Sequence, residues 1–232
     1  MNHIGIIGAM DEEVNIMKER MEDVIITKKA SMEFYKGKLS GKDIVVVRSG
    51  IGKVNAAVCA QILVDEYQVE GIINTGVAGS LRNEINIGDI VLSKDTVQHD
   101  MDATGFGYEP GVIPRMDTST FIADTLLLKT AREVCEEVNK DINVFVGRIV
   151  SGDQFISERG KKESLVKLFD GYCTEMEGAA IAQAAYLNNI PFLIIRAISD
   201  KADNSAEMDY SEFEMKAIEH TVKLLHELVT RL

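Results

Sequence analysis

Short apolar runs and longer helical patterns alternate along the chain. "HIGIIGA" (3–9) is a continuous apolar stretch and predicts a buried strand. "MDEEVNIMKERM" (10–21) then repeats its apolar residues at helical spacing. "MEFYKGKLSGKDIVVVRSG" (32–50) predicts a hairpin around Ser40-Gly41 with its second strand buried. In "KVNAAVCAQILVDEY" (53–67), Ala56, Ala60, Leu63 and Tyr67 fall on one side of a helix. "EGIINTG" (70–76) and "GDIVLSKDTVQHD" (88–100) read as strands on either side of a glycine-rich turn.

The second half continues the alternation. A loop over 100–119 holds Gly105, Gly107, Pro110, Gly111 and Pro114, and irregular segments of that length are usually functional. A helix is expected over about 120–139, a strand over 144–152, and a helix over 157–169 with Ser157 as its N-cap. "TEMEGAAIAQAAYLNN" leads into "PFLIIRAISD" (191–200), a buried strand with a polar end. The tail from 209 to 231 is amphipathic, with Phe213, Ala217, Leu224 and Leu228 on one face. No linker or repeat interrupts the pattern. It predicts one α/β domain over 1–232, a mostly parallel sheet with helices on both faces.

Charge narrows the partners. The formal net charge of −12 disfavours nucleic acid and anionic membranes, so a small-molecule ligand is expected. No run reaches transmembrane length, and the N-terminus has neither a basic leader nor a long apolar stretch, which points to a cytoplasmic protein. Cys59, Cys135 and Cys173 are widely spaced and unmatched by histidines at zinc-ligand spacing; buried free thiols and no metal are expected.

Ligands of such sheets gather beyond the strand ends, where polar residues interrupt apolar runs. Five interruptions qualify: "GAMDEEV" (8–14), "NTGVAGS" (74–80), "SGDQFIS" (151–157), "TEMEGAA" (174–180) and "RAISDKAD" (196–203). Each alone has a plain structural explanation. The acids of "DEE" suit a helix N-terminus, and Gly76 and Gly79 suit a turn. Arg196 is harder to set aside, because a guanidinium in a buried strand needs a carboxylate, which Glu175 or Glu177 could supply. Dinucleotide binding is disfavoured: Gly5 and Gly8 are spaced wrongly for a G-x-G-x-x-G turn.

Taken together, "IGIIGAMDEEV", "SGIGKVNAA", "INTGVAGSL", "HDMDATGFGYEPG", "IVSGDQFIS", "EMEGAAIA" and "RAISDKAD" resemble, in the same order from residue 4 to about 215, the 5′-methylthioadenosine/S-adenosylhomocysteine nucleosidases. The resemblance implies the fold of the nucleoside phosphorylase superfamily, a central twisted, mixed sheet flanked by helices on both faces, usually in a homodimer. It implies that Asp200 is the general acid at adenine N7, oriented by Ser199, and that Glu13 positions and deprotonates water. Glu177 would accept hydrogen bonds from the ribose hydroxyls, with Met176 against the sugar and Val77, Ala78 and Gly79 beside the substrate. Val77 replaces a common serine, and Gly105 and Gly178 stand where alanine is common. Phe155 would lie on adenine, whose polar edge the main chain of Phe155 and Ile156 would read. Met10, Ile51, Phe106, Tyr108, Pro114 and Tyr210 would line a slot for the 5′-alkylthio group, Phe106 and Pro114 reaching over from the neighbouring subunit. Glu175 and Arg196 would organise the site and its water. No cofactor is implied.

Two rivals remain. A phosphorolytic relative would carry an arginine at position 74 and a serine or threonine at 77; Asn74 and Val77 lack those donors, and Glu13 sets an anion where phosphate would sit. A nucleoside-binding module without chemistry is disfavoured by the joint presence of Glu13, Glu177 and Asp200.

Overall fold

In a computed structural model that describes residue 1 and residues 3–232, the side chains of Glu207 and Ser211 apart, the chain forms a ten-stranded mixed sheet with helices on both faces. β1 (His3–Gly8), β4 (Lys42–Arg48) and β5 (Gly71–Ser80) are parallel neighbours, with β1 between the other two. β3 (Met32–Leu39) and β2 (Glu22–Lys29) extend that edge in antiparallel fashion. On the far side of β5 the sheet closes on itself. β5 pairs with β10 (Phe192–Asp200), β10 with β6 (Ile90–Gln98), β6 with β8 (Val144–Ser151), β8 with β9 (Cys173–Glu175), and β9 with β5 again. A short β7 (Phe121–Ile122) hangs on β6.

The sheet is therefore less parallel than the alternating pattern predicts. The pairings β2–β3, β3–β4, β5–β9, β6–β7 and β6–β10 are all antiparallel. This matches the mixed sheet implied by the family resemblance. The segment 76–80, expected as a turn, is instead the second half of β5, since β9 and β10 pair with it there.

The apolar runs are buried as expected: Ile4, Ile6 and Ile7 of β1 and Leu193 to Ile195 of β10 are inaccessible to solvent. α1 (Asp11–Glu19) and α2 (Lys53–Tyr67) follow β1 and β4, and Tyr67 stacks on Phe34 with ring centroids 5.2 Å apart. α5 (Gly178–Leu187) is apolar on nearly every side, and it packs both on the sheet and on α2. α6 (Ala206–Arg231) lies along β10 and contacts α1 and α3 (Thr125–Val138). Of its four predicted face residues, Ala217, Leu224 and Leu228 are fully buried and Phe213 is half-buried. α4 (Arg159–Phe169) covers a smaller cluster of Leu81, Val97, Val150, Leu165 and Phe169.

Two boundaries differ from expectation. α4 is capped at Glu158 rather than Ser157, with no side-chain cap bond. α3 starts at 125, because the Asp124 carboxylate accepts the Leu127 N–H at 2.9 Å and β7 uses the residues just before it. All three cysteines are free and buried. Among the described residues no helix is long and apolar enough to cross a membrane, and no cluster of His, Cys, Asp or Glu is arranged to hold a metal ion.

Candidate active site

A cavity of about 180 Å³ opens where β1, β5, β9 and β10 end. All five interrupted strand ends named above line it: 8–14, 74–80, 151–157, 174–180 and, through Ser199 and Asp200, 196–203. No Lys, Arg or His is among the described residues that line it.

Glu13 comes from the first turn of α1. Asp11 and Glu12 beside it are exposed, whereas Glu13 is buried. Its Oε2 accepts the N–H groups of Ala9 (2.6 Å) and Met10 (3.0 Å), and its Oε1 accepts that of Val77 (3.2 Å). The plain reading of Glu13 as a helix-capping acid is thus correct as far as it goes, because the side chain does reach back to its own helix start. It also faces the cavity. Burial pushes its carboxyl above the usual range, opposed by Arg196 and the three backbone donors.

Asp200 ends β10 and also lines the cavity. The register of β10 against β5 shifts between Ile198 and Asp200, so Ser199 is an extra residue that re-aims the strand end. The Ser199 hydroxyl donates to Oδ2 at 2.9 Å, and the Ala202 N–H donates to Oδ1 at 2.8 Å. Burial again raises the carboxyl; the two donors oppose it, while Asp209 and Asp203 push it further up.

Both carboxylates rest on glycines of β5. A Cβ on Gly76 would lie 2.6 Å from Oε1 of Glu13, and one on Gly79 would lie 2.7 Å from Oδ1 of Asp200. Only a strand without side chains at these two positions lets the acids approach so closely.

Glu175 and Glu177 also line the cavity, and Glu175 is bonded to the buried Arg196. Arg196, which is 1% exposed, donates through Nε to Glu175 Oε2 at 3.2 Å, and its Nη2 bonds both Glu175 and the Asn74 side-chain oxygen. Glu175 also takes the N–H groups of Glu177 (3.2 Å) and Gly178 (2.7 Å) and the Ser151 hydroxyl. Burial lowers the guanidinium, but Glu175, Glu177 and Glu13 around it outweigh that and raise it above its ordinary value. Glu177 points into the cavity and accepts the Gly52 N–H at 2.8 Å. Burial and then the Glu175 charge raise its carboxyl to about 7.

Of the other residues picked from sequence, Met10, Ile51, Val77, Ala78, Gly79, Phe155, Ile156, Met176 and Tyr210 all line the cavity. Phe155 and Tyr210 meet edge to face at 6.0 Å across its mouth. Arg196 does not line it, standing behind Glu175 instead. Phe106, Tyr108 and Pro114 are also outside this chain's own cavity, and Phe106 is 87% exposed. Ala9, Gln154 and Thr174 line the cavity without having been singled out. They sit inside or beside quoted motifs, and spacing gives no way to separate them from packing residues.

A sequence model of the phosphorylase superfamily matches residues 3–232. The 5′-methylthioadenosine/S-adenosylhomocysteine nucleosidase of Staphylococcus carnosus is 42% identical over 230 residues, which cover 99% of this chain and 100% of that protein. The chain belongs to this nucleosidase family. Among solved structures, the Neisseria meningitidis 5′-methylthioadenosine/S-adenosylhomocysteine nucleosidase in complex with methylthio-immucillin-A shares 37% identity with a TM-score of 0.96 and covers both chains fully. Futalosine hydrolase of Helicobacter pylori superposes with a TM-score of 0.94 at 34% identity, covering 100% of this chain and 98% of that one. Nucleosidase-family relatives thus match the chain over its whole length.

Proposed function

We propose that the chain hydrolyses the N-ribosidic bond of 5′-methylthioadenosine and S-adenosylhomocysteine, releasing adenine and the thio-ribose product, and so recycles by-products of S-adenosylmethionine chemistry. Bond cleavage builds positive charge on the sugar and negative charge on the departing purine. Two buried carboxyl groups lining one cavity suit both needs, and this juxtaposition carries the reading. Asp200, with its proton favoured by burial and by the neighbouring acids, protonates the purine at N7, with Ser199 fixing its orientation. Glu13, tied by three N–H groups and facing Arg196, holds water and takes its proton. Glu177 accepts the ribose hydroxyls beside Met176, and Phe155 covers the purine, whose polar edge meets the Phe155–Ile156 main chain.

Water is favoured over phosphate for an electrostatic reason. Phosphate needs cationic or hydroxylic donors at the sugar, yet no cation lines the cavity, Val77 is apolar, and Asn74 is engaged by Ile7 and Arg196. The apolar rim of Met10, Ile51 and Tyr210 suits a 5′-alkylthio group. The exposed Phe106, with Tyr108 and Pro114, completes that slot in a second copy of the chain, making the enzyme a homodimer with a shared lid. We place it in the cytoplasm, acting as one catalytic unit over 1–232 and without cofactor or nucleic-acid partner.

One assay addresses both points: adenine release from 5′-methylthioadenosine, with and without phosphate, over a dilution series. The expected rate is indifferent to phosphate, and specific activity falls once the dimer dissociates. A strict need for phosphate would defeat hydrolysis. Undiminished activity of a species that sediments as a monomer would defeat the shared lid. Substituting 5′-deoxyadenosine and a futalosine-type nucleoside in the same assay ranks the substrates.

A further inference from the structure

The peptide group joining Lys201 to Ala202 has both ends engaged. Its N–H donates to Oδ1 of Asp200 at 2.8 Å, and its carbonyl oxygen accepts Nζ of Lys162 at 2.5 Å. Lys162 comes from the second turn of α4, a different element, and is 9% exposed. Its helix neighbours Arg159 and Glu163 pair with each other at 2.9 Å, so the Lys162 ammonium points at a backbone oxygen. The ammonium is part-buried with Asp203 as the charge that supports it most, and giving up its hydration costs more than filling the same space with Leu or Met. Packing is therefore a poor reason for a lysine here.

The peptide itself is in a costly conformation. Ala202 has a φ of +50° and is fully buried, a region that residues with a side chain enter at about 1 kcal/mol or more. The turn is pinned on its other flank as well: the Lys201 ammonium bonds the main-chain oxygens of Asn83 and Ile85 ahead of β6.

We propose that Lys162 is a positioning residue for the general acid: its positive charge fixes and polarises the 201–202 peptide, which ties down Oδ1 of Asp200 and leaves Oδ2 to carry the proton that goes to the purine. Hydrogen bonds in series strengthen one another, so a cation on the carbonyl makes the N–H at the far end a better donor. The charged groups around the relay are Asp200 and Asp203 on the turn, Lys201 within it, Arg159 on α4 and Asp209 on α6. Burial lowers the Lys162 ammonium, Asp203 and Asp200 support its charge, and Lys201 and Arg159 oppose it. The proposal rests on Asp200 being the acid.

The test compares Lys162→Met, Lys162→Gln and Lys162→Arg, with Asp200→Asn alongside, reading kcat and KM across pH together with thermal midpoints. Without the cation the Asp200 anion loses its polarised donor. In Lys162→Met the alkaline limb of kcat should therefore move up by about half a pH unit, with kcat down about tenfold and KM within about threefold. Lys162→Arg should keep the limb in place, and Lys162→Gln, which can still donate but carries no charge, should fall between. A lower thermal midpoint with an unmoved limb in both Met and Gln variants would make Lys162 a merely structural residue and overturn the proposal. So would an Arg variant that shifts as far as Met. Full activity in Asp200→Asn would instead remove the acid on which the relay acts, a separate failure of the functional reading.

Discussion

Glu13 and Asp200 are both buried carboxyls seated on glycines of one strand, yet their surroundings differ in sign. Glu13 collects three main-chain donors at a helix start, and the charge that acts on it is the Arg196 guanidinium. Asp200 collects one main-chain donor and one hydroxyl, and the acids Asp209 and Asp203 lie near it. Donors and cations stabilise a carboxylate; acidic neighbours stabilise a carboxylic acid. The same side-chain chemistry is thereby divided into a group suited to accept a proton and one suited to give it.

The comparison breaks most visibly in turnover. Asp200→Asn and Glu13→Gln should each lower kcat about a thousandfold while inhibitor affinity stays within about threefold. The residual activities should differ in shape: Glu13→Gln loses the acidic limb of the pH profile and Asp200→Asn the alkaline one. Loss of the same limb in both would show that the two groups are not divided in this way.

A smaller effect comes from the strand beneath them. Gly79→Ala would place a methyl 2.7 Å from Oδ1 of Asp200 and 2.9 Å from Cβ of the buried Ala202, so the acid and its turn must both shift. We expect kcat to fall roughly 10- to 100-fold with little change in KM. Gly76→Ala meets the Glu13 carboxylate at 2.6 Å and should cost a similar factor. Wild-type rates in either variant would mean that these close approaches do not hold the carboxyls in place.

The smallest effect is on stability. Glu177 lines the cavity with Glu175, and burial with this like charge raises its carboxyl from an ordinary value near 4.5 to about 7. A carboxyl raised in this way binds its proton more tightly when folded. Its contribution is fully present below the unfolded value and is lost as pH rises through 7. Glu177→Gln, which cannot ionise, should therefore stabilise the unliganded protein at pH 8 by on the order of 1–3 kcal/mol and have little effect near pH 4. Equal shifts in thermal midpoint at both pH values would contradict the raised carboxyl.

How much of this was legible in the sequence depended on where the information sits. The buried strands β1, β4 and β10 announce themselves through unbroken apolar runs, residues 4–8, 44–47 and 192–195. β2 does not: all eight of its residues are exposed, so neither alternation nor an apolar run marks it. The closure of the sheet through β10 is equally invisible, since it depends on pairing with β5 more than a hundred residues earlier. At the site, the need of Arg196 for a carboxylate follows from burial alone, and Glu175 meets it. The choice between Glu175 and Glu177 did not follow from their spacing. Family resemblance, not periodicity, pointed to Glu177 as the group facing the ligand. Lys162 reads from sequence as one more surface lysine in "RGKKES"; only the fold brings it to the turn after Asp200.

Glu13 and Asp200 lean on Gly76 and Gly79 of one strand, β5, glycines whose backbones are three residues, roughly 10 Å, apart. Over those residues β5 is bonded to β10, and at Gly79 to β9 as well. Loops at the rim are free to reshape for a bulkier 5′ substituent without stretching that strand. Variation in what is bound and constancy in how the bond is cut are, in this architecture, mechanically separate.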